Sequence, residues 1–323
     1  MKKIYLILSV FAIVFTACET DFDVNAKWEE VTVVYGLLDA GEGEEVQKIR
    51  ISKAFLGEMD ALQMAQYADS INFDPNDLDV KVFRIKHNEV IDSVSLVAIP
   101  TFRNGDLFYD TIIIYEFEKI NFLKSDSEYE LVIENKTSGN IVTSKTNIIS
   151  NFDFDNVFRN NKAFQFGFYN NNDYSPSTIT WDDSNDNGKI YQLDLVIHYS
   201  ENQEPKQLVF SQDLVTPPTT KLTIEGESFF NFLRVTLEKD NTKVRYFNGI
   251  DLVMTVGSED LETYIDVNKP ITGIVQERPQ FTNINNGIGL LSSRFTKVRY
   301  NFPLTSSSLD FLKSIDGLDR NFQ

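Results

Sequence analysis

Cysteine is almost absent from this chain: Cys18 is the only one in 323 residues. A lone thiol excludes an intrachain disulfide, a thiolate zinc cluster and a redox pair. Length compensates, because a chain of this size can bury one large core or two modest ones. Histidine is nearly as scarce. His87 sits beside Asn88 in a turn-like context and His198 lies near the end of a strand-like run, so no local metal motif forms and each reads as structural or exposed. Positive charge is the minority, with 30 Lys and Arg against 48 Asp and Glu and a formal charge of −18. No basic block interrupts that balance, so nucleic acid finds little support as a partner, whereas a cationic partner or a divalent metal is compatible with it. The acids single out no pair with glycosidase spacing, about 5 to 9.5 Å across a cleft. Close glycines occur at Asn286-Gly287-Ile288-Gly289, but the G-x-G-x-x-G spacing and the phosphate-loop lysine are missing, and the segment reads as a turn.

The N-terminus supplies the strongest positive signal. Lys2 and Lys3 precede an apolar run over residues 4–14, and Phe15, Thr16 and Ala17 lead to Cys18. A charged start, a short apolar stretch and a small residue before the cut make an export signal. The run is shorter than the ~20 residues that spanning hydrocarbon requires. Cysteine offers a thiol for diacylglycerol, so residues 1–17 read as a lipoprotein signal peptide and Cys18 as the lipidated first residue of the mature chain. A retained helical anchor and a plain secreted signal are the alternatives. Each buried methylene contributes about 0.8 kcal/mol, so a two- or three-chain anchor holds where a single chain would not. Cleavage removes Lys2 and Lys3 and moves the formal charge from −18 to −20. Residues 18–27, with Glu19, Asp21 and Asp23, read as an acidic tether.

Strand patterning dominates the chain beyond the tether. Residues 31–38 and 46–52 form a hairpin pattern around a turn at 39–44, and residues 59–67 fit a short helix. Strand patterns continue at 80–85 and 90–99 around a His87-Asn88 turn, at 111–117 as a central strand, and at 129–133 and 141–146 around a turn at 138–140. Tyr129 stands where a corner tyrosine stands near the start of a late sandwich strand. Residues 28–150 therefore read as an immunoglobulin- or fibronectin-like β-sandwich. Residues 151–161, with Phe152, Phe154 and Phe158, read as a packed linker. Residues 162–323 read as a β-rich α+β domain. Its strands are expected at 163–169, where Phe164, Phe166 and Phe168 alternate, and at 191–199, 206–210, 250–256 and 296–302. Apolar spacing at Phe229, Phe232, Leu233 and Leu237 predicts a helix over 229–239, and a second short helix starts at Glu259 or Asp260 and ends before Pro270.

The sharpest ligand-site pattern lies at residues 182–188. Numbering a calcium loop from Asp183 places Asn185 third, Asn187 fifth and Gly188 at the sharp turn; Lys189 offers its backbone carbonyl and Asp194 falls twelfth. Asp194 is shorter than the usual closing glutamate, and the chain after Lys189 reads as a strand, so an Asn-Gly turn between strands is the competing reading. Calcium is the one cofactor the sequence suggests. Trp181 with Tyr174 could form a small exposed binding surface, and Asn283 and Asn286 could present polar groups from the loop over 282–289.

Three stretches resemble recurrent segments of uncharacterised outer-membrane lipoproteins of Bacteroidota: Val33-Val34-Tyr35-Gly36-Leu37-Leu38-Asp39, Lys53-Ala54-Phe55-Leu56-Gly57, and residues 281–290 around Asn283, Asn286 and Gly287. The resemblance implies an outer-membrane address and an N-terminal immunoglobulin-like domain, and it carries over no active residue. Acidic residues after the cysteine resemble those that favour export to the cell surface in such lipoproteins, with a periplasm-facing attachment as the alternative. The function expected is a lipid-anchored accessory protein that binds or stabilises an envelope protein complex; the alternative is a surface binding module for carbohydrate or another nutrient. Outer-membrane lipid, through Cys18, and an envelope protein are the expected partners, and an enzyme ranks third.

Overall fold

The computed structural model describes residues 31–43, 45–54, 66–102, 111–118, 120–155, 164–182, 187–270 and 279–323. The expected signal peptide and acidic tether, Cys18, Phe158 and most of the helix expected over 59–67 lie outside the described residues. The fold is mainly β, with mixed sheets and a few helices. The first half contributes β1 (Val31–Asp39), β2 (Val46–Ala54), β3 (Leu78–Lys86), β4 (Glu89–Ser95), β5 (Val97–Phe102), β6 (Thr111–Glu118), β7 (Glu128–Asn135) and β8 (Ile141–Asn147). The second half contributes the short β9 (Tyr169–Asn170), β10 (Asp173–Tyr174) and β11 (Ser177–Thr180), then β12 (Ile190–Glu201), β13 (Glu204–Ser211), β14 (Lys221–Ile224), β15 (Arg245–Gly257) and β16 (Gly287–Phe302). Helices span Ala68–Ile71, Gly226–Thr236, Glu259–Asn268 and Ser306–Lys313.

Local chemistry explains most of the first half. His87 and Asn88 have φ of 52° and 64°, the two left-handed residues that a tight hairpin turn between β3 and β4 requires. The strand expected over 90–99 divides at Leu96, whose amide donates to the Val80 carbonyl as the chain passes from one sheet to the other. One sheet has the order β4-β3-β7-β8, and it faces the β1-β2-β6-β5 portion of a larger sheet. Val34, Ile49, Ile51 and Phe117 meet Val80, Leu131, Ile133 and Val142 in the core between them. Tyr129 is wholly buried there. Its hydroxyl donates to the Phe122 carbonyl at 2.8 Å and accepts from the Lys124 amide at 2.5 Å, so the phenol is satisfied while its ring fills the core.

The second half builds its core on one face of β12, β15 and β16. Leu193, Leu195, Leu252, Met254 and Phe295 meet Phe229, Phe230 and Leu233 from the helix Gly226–Thr236, whose first turn carries Glu227 and last turn Arg234, as its dipole favours. Phe152 and Phe154 are buried in this core, with the Phe152 ring edge-on to Phe295 at 5.7 Å. Of the strand expected over 163–169, Tyr169 alone among the described residues joins a sheet, opposite Tyr174 in β10; Phe166 makes an isolated bridge to Leu304, and the Phe166 and Phe168 rings stack in the core.

The two halves are joined through one sheet. The large sheet runs β13-β12-β15-β16-β1-β2-β6-β5, so strands from both halves share it. The join is a parallel pairing of β1 with β16, from Thr32 opposite Gly287 to Asp39 opposite Arg294. The loop expected over 282–289 therefore passes into strand at Gly287. Its glycines serve close approach rather than a turn: a Cβ on Gly289, whose φ is +119°, would lie 2.0 Å from the Val34 carbonyl oxygen.

Gly289→Ala is expected to cost at least about 2 kcal/mol in denaturant unfolding. Val235→Ala, at a position 88% exposed, should stay within about 0.5 kcal/mol of the parent. Equal stability of Gly289→Ala and the parent protein would show that the β1–β16 contact tolerates a side chain.

Candidate binding trough at the seam of the two halves

Strand alternation sends Val34 and Leu38 of β1 into the core and leaves Tyr35 on the opposite face, 43% exposed. Register then builds a row across that outer face: Ile99 opposite Ile114, Ile114 opposite Arg50, Arg50 opposite Tyr35, and Tyr35 opposite Leu290. The helix Glu259–Asn268 lies against β16 beside this row. Its position is fixed at its start, where the Ser258 and Ser292 hydroxyls share a 2.6 Å hydrogen bond and Asp260 accepts from the Asn283 amide at 2.9 Å. Tyr264 reaches over the sheet, its ring edge-on to Tyr35 at 6.1 Å and its hydroxyl hydrogen-bonded to the Tyr35 hydroxyl at 3.4 Å.

Two cavities flank the tyrosine pair. One of about 380 Å³ is lined by Tyr35, Leu37, Lys48, Leu261, Leu290 and Arg294, among others. A second, about 370 Å³, is lined on the other side by Val267, Phe281 and Ile288. At the end of the first cavity away from the tyrosines, Asp39 is held by four donors: the Gly41 amide, the Thr296 amide and hydroxyl, and Arg294 Nε at 2.9 Å. Gln47 fixes the Asp39 backbone by donating to its carbonyl and accepting from its amide. The carboxylate is thus saturated and orients the Arg294 guanidinium. Tyr35 is pushed up to about 12, first because its hydroxyl is bonded to Tyr264 and then because burial disfavours phenolate.

His198 Nε2 lies 2.7 Å from Asp251 Oδ2, but this pair sits on β12 and β15, away from the trough. Among the described residues no group of three or more His, Cys, Asp and Glu could hold a metal.

Several residues singled out from sequence have other work. Trp181 is 1% exposed and packs against Tyr191 at 5.5 Å, while Tyr174 is half-buried against Phe311, so the two form no exposed surface. Asn283 donates to the Leu291 carbonyl and accepts from the Leu291 amide, acting as a substitute strand partner. Asn286, at φ 57°, donates to the Ile141 carbonyl. The calcium pattern is described only in part. Asp183 and Asn185 lie outside the described residues, Asn187 donates to the Ile148 carbonyl, and the Lys189 amide bonds the Gly257 carbonyl. Asp194 lies inside β12 opposite Val253 and Ser211. Five residues of extended chain put Lys189 and Asp194 about 16 Å apart, too far to share ligand distances of about 2.5 Å.

Sequence reasoning missed Tyr35, Leu261, Tyr264 and Arg294 as a group. The available signal was Tyr35 itself, a large aromatic on the face of β1 opposite its core residues. No family model, curated protein or solved structure matches the chain.

Tyr264→Phe is expected to return the Tyr35 phenol toward its ordinary value in an NMR titration of labelled tyrosine. A raised phenol stabilises the fold fully below about pH 10, where both states are protonated. That contribution is lost between pH 10 and 12, where only the unfolded phenol has ionised, and the parent should therefore lose more stability across that window than Tyr264→Phe. An unchanged Tyr35 titration in the variant would rule out the hydroxyl contact as the cause.

Proposed function

We propose that this chain is a lipid-anchored accessory protein of the outer membrane, attached through Cys18, whose folded body binds or stabilises a protein complex of the envelope. Residues 28–150 fit an immunoglobulin-like sandwich. Facing sheets β1-β2-β6-β5 and β4-β3-β7-β8 follow the connectivity of that fold, and Tyr129 makes the corner contact back to Phe122. The second half completes a β-rich α+β body on the same sheet. Protein binding is carried by one observation: β4 and β5, consecutive strands at the margins of the two facing sheets, expose Val90, Ile91, Val97, Ile99 and Phe102. A strand margin rich in exposed apolar side chains is a liability for an isolated protein and a docking edge for one with a partner.

A second reading, a surface module for a nutrient, is favoured by the trough, whose volume falls within the roughly 300–1,000 Å³ of small-molecule sites. The flat sugar platform expected of a carbohydrate binder is less well served by two tyrosines meeting at 72°.

Pull-down from gently solubilised outer membranes tests the first reading. Parent protein should recover a stoichiometric envelope partner, and Val97→Lys with Ile91→Lys should lose it while keeping the parent's unfolding midpoint. Recovery of the lipoprotein alone from preserved complexes would overturn the reading. Cys18→Ser should move the protein from the membrane to the soluble fraction of the cell; retention in the membrane would overturn lipid anchoring.

A further inference from the structure

We propose that the trough between β1, β16 and the helix Glu259–Asn268 is a binding site for a small apolar or aromatic carboxylate. The proposal rests on the second reading, that the body takes a small ligand, and it names that ligand's chemistry. Leu37, Leu261 and Leu290 give the trough an apolar lining. Tyr35 and Tyr264 close one end, and Asp39 with Arg294 closes the other, four residues of β1 away or about 13 Å. The two ends differ in chemistry, so a ligand with an apolar body and one charged group has a single orientation.

The far end offers hydrogen-bond donors rather than acceptors. Both oxygens of Asp39 are occupied by protein donors, and Arg294 spends only Nε on it. The two terminal nitrogens of Arg294 have no partner among the described residues. A guanidinium whose plane is set by one carboxylate presents that remaining pair to a second, planar anion, the geometry in which arginine discriminates carboxylate from neutral groups.

Calorimetry on the detergent-solubilised mature lipoprotein tests this with three probes: N-acetylphenylalanine, its amide, and cellobiose. The acid should bind saturably, and the amide at least tenfold more weakly, as expected for loss of a charge-assisted hydrogen bond. Arg294→Gln should weaken the acid at least tenfold without changing the amide. Because Arg294 also holds Asp39, Leu261→Trp provides an independent variant that fills the trough and leaves the ion pair in place; it should abolish binding of the acid. Equal affinity for acid and amide, or acid binding that survives both substitutions, would overturn the proposal. Cellobiose binding without acid binding would overturn the carboxylate assignment and leave the small-ligand reading standing, whereas no binding of any probe would overturn both.

Discussion

Eight residues of β1 are paired in register with eight of β16, joining parts of the chain 255 positions apart at Asp39 and Arg294. Closing a loop of that length costs about 5 kcal/mol in chain entropy. Burial of Val34, Leu38, Leu290 and Leu291, none more than 4% exposed, offsets it at roughly 1.5–3 kcal/mol each. The charged cluster at Asp39 then fixes the register, since a slip of one residue would turn Asp39 away from Arg294 and Thr296. Both cores depend on this seam. Val34 and Leu38 belong to the first and Phe295 to the second, so loosening the pairing would open both at once.

Local chemistry was legible because it needs only neighbours. The His87-Asn88 turn announces itself by residue type, and the helix Gly226–Thr236 by apolar spacing at Phe229 and Leu233. Residues 287–290 were illegible for the opposite reason. Glycines between polar residues favour a turn locally, and only the arrival of Val34 from the other end of the chain makes the strand the better state. Trp181 misled in a related way: its acidic neighbours suggest exposure, but the bridge to Phe154 draws it into the core. The calcium pattern at 183–194 was a matter of period, as positions that converge in a loop-and-helix geometry diverge along β12.

The trough could not be read from any one segment. Tyr35 and Leu37 come from the first strand, Leu261 and Tyr264 from a late helix, and Leu290 and Arg294 from the strand that completes the seam. None of these residues is unusual in its own context. Their meeting is a product of the parallel pairing, which sets Leu290 beside Tyr35, and of the Ser258–Ser292 and Asn283–Asp260 bonds, which hold the helix over them. Binding chemistry at this place therefore depends on the same contact that holds the fold together.

The seam also fixes the end of the sheet at which the proposed anchor enters. Thirteen steps of chain lead from Cys18 to Val31, which limits the reach to about 45 Å even when fully extended. Val31 pairs with Ala54, and Phe102 pairs with Thr111 at the same end of the adjacent strands, so the most exposed ring of the apolar margin, 69% accessible, lies at the end of the sheet where the tether enters. Asp39, Val97 and Arg294 lie toward the opposite end. On the proposed anchoring, the tether enters at the Phe102 end of the apolar margin, and the Asp39–Arg294 end of the trough lies at the other end of the sheet. Val97 and Ile99 share the outer face of that sheet with Tyr35, so a partner along β5 and a small ligand in the trough would meet the body on one face, the first at its margin and the second at the seam.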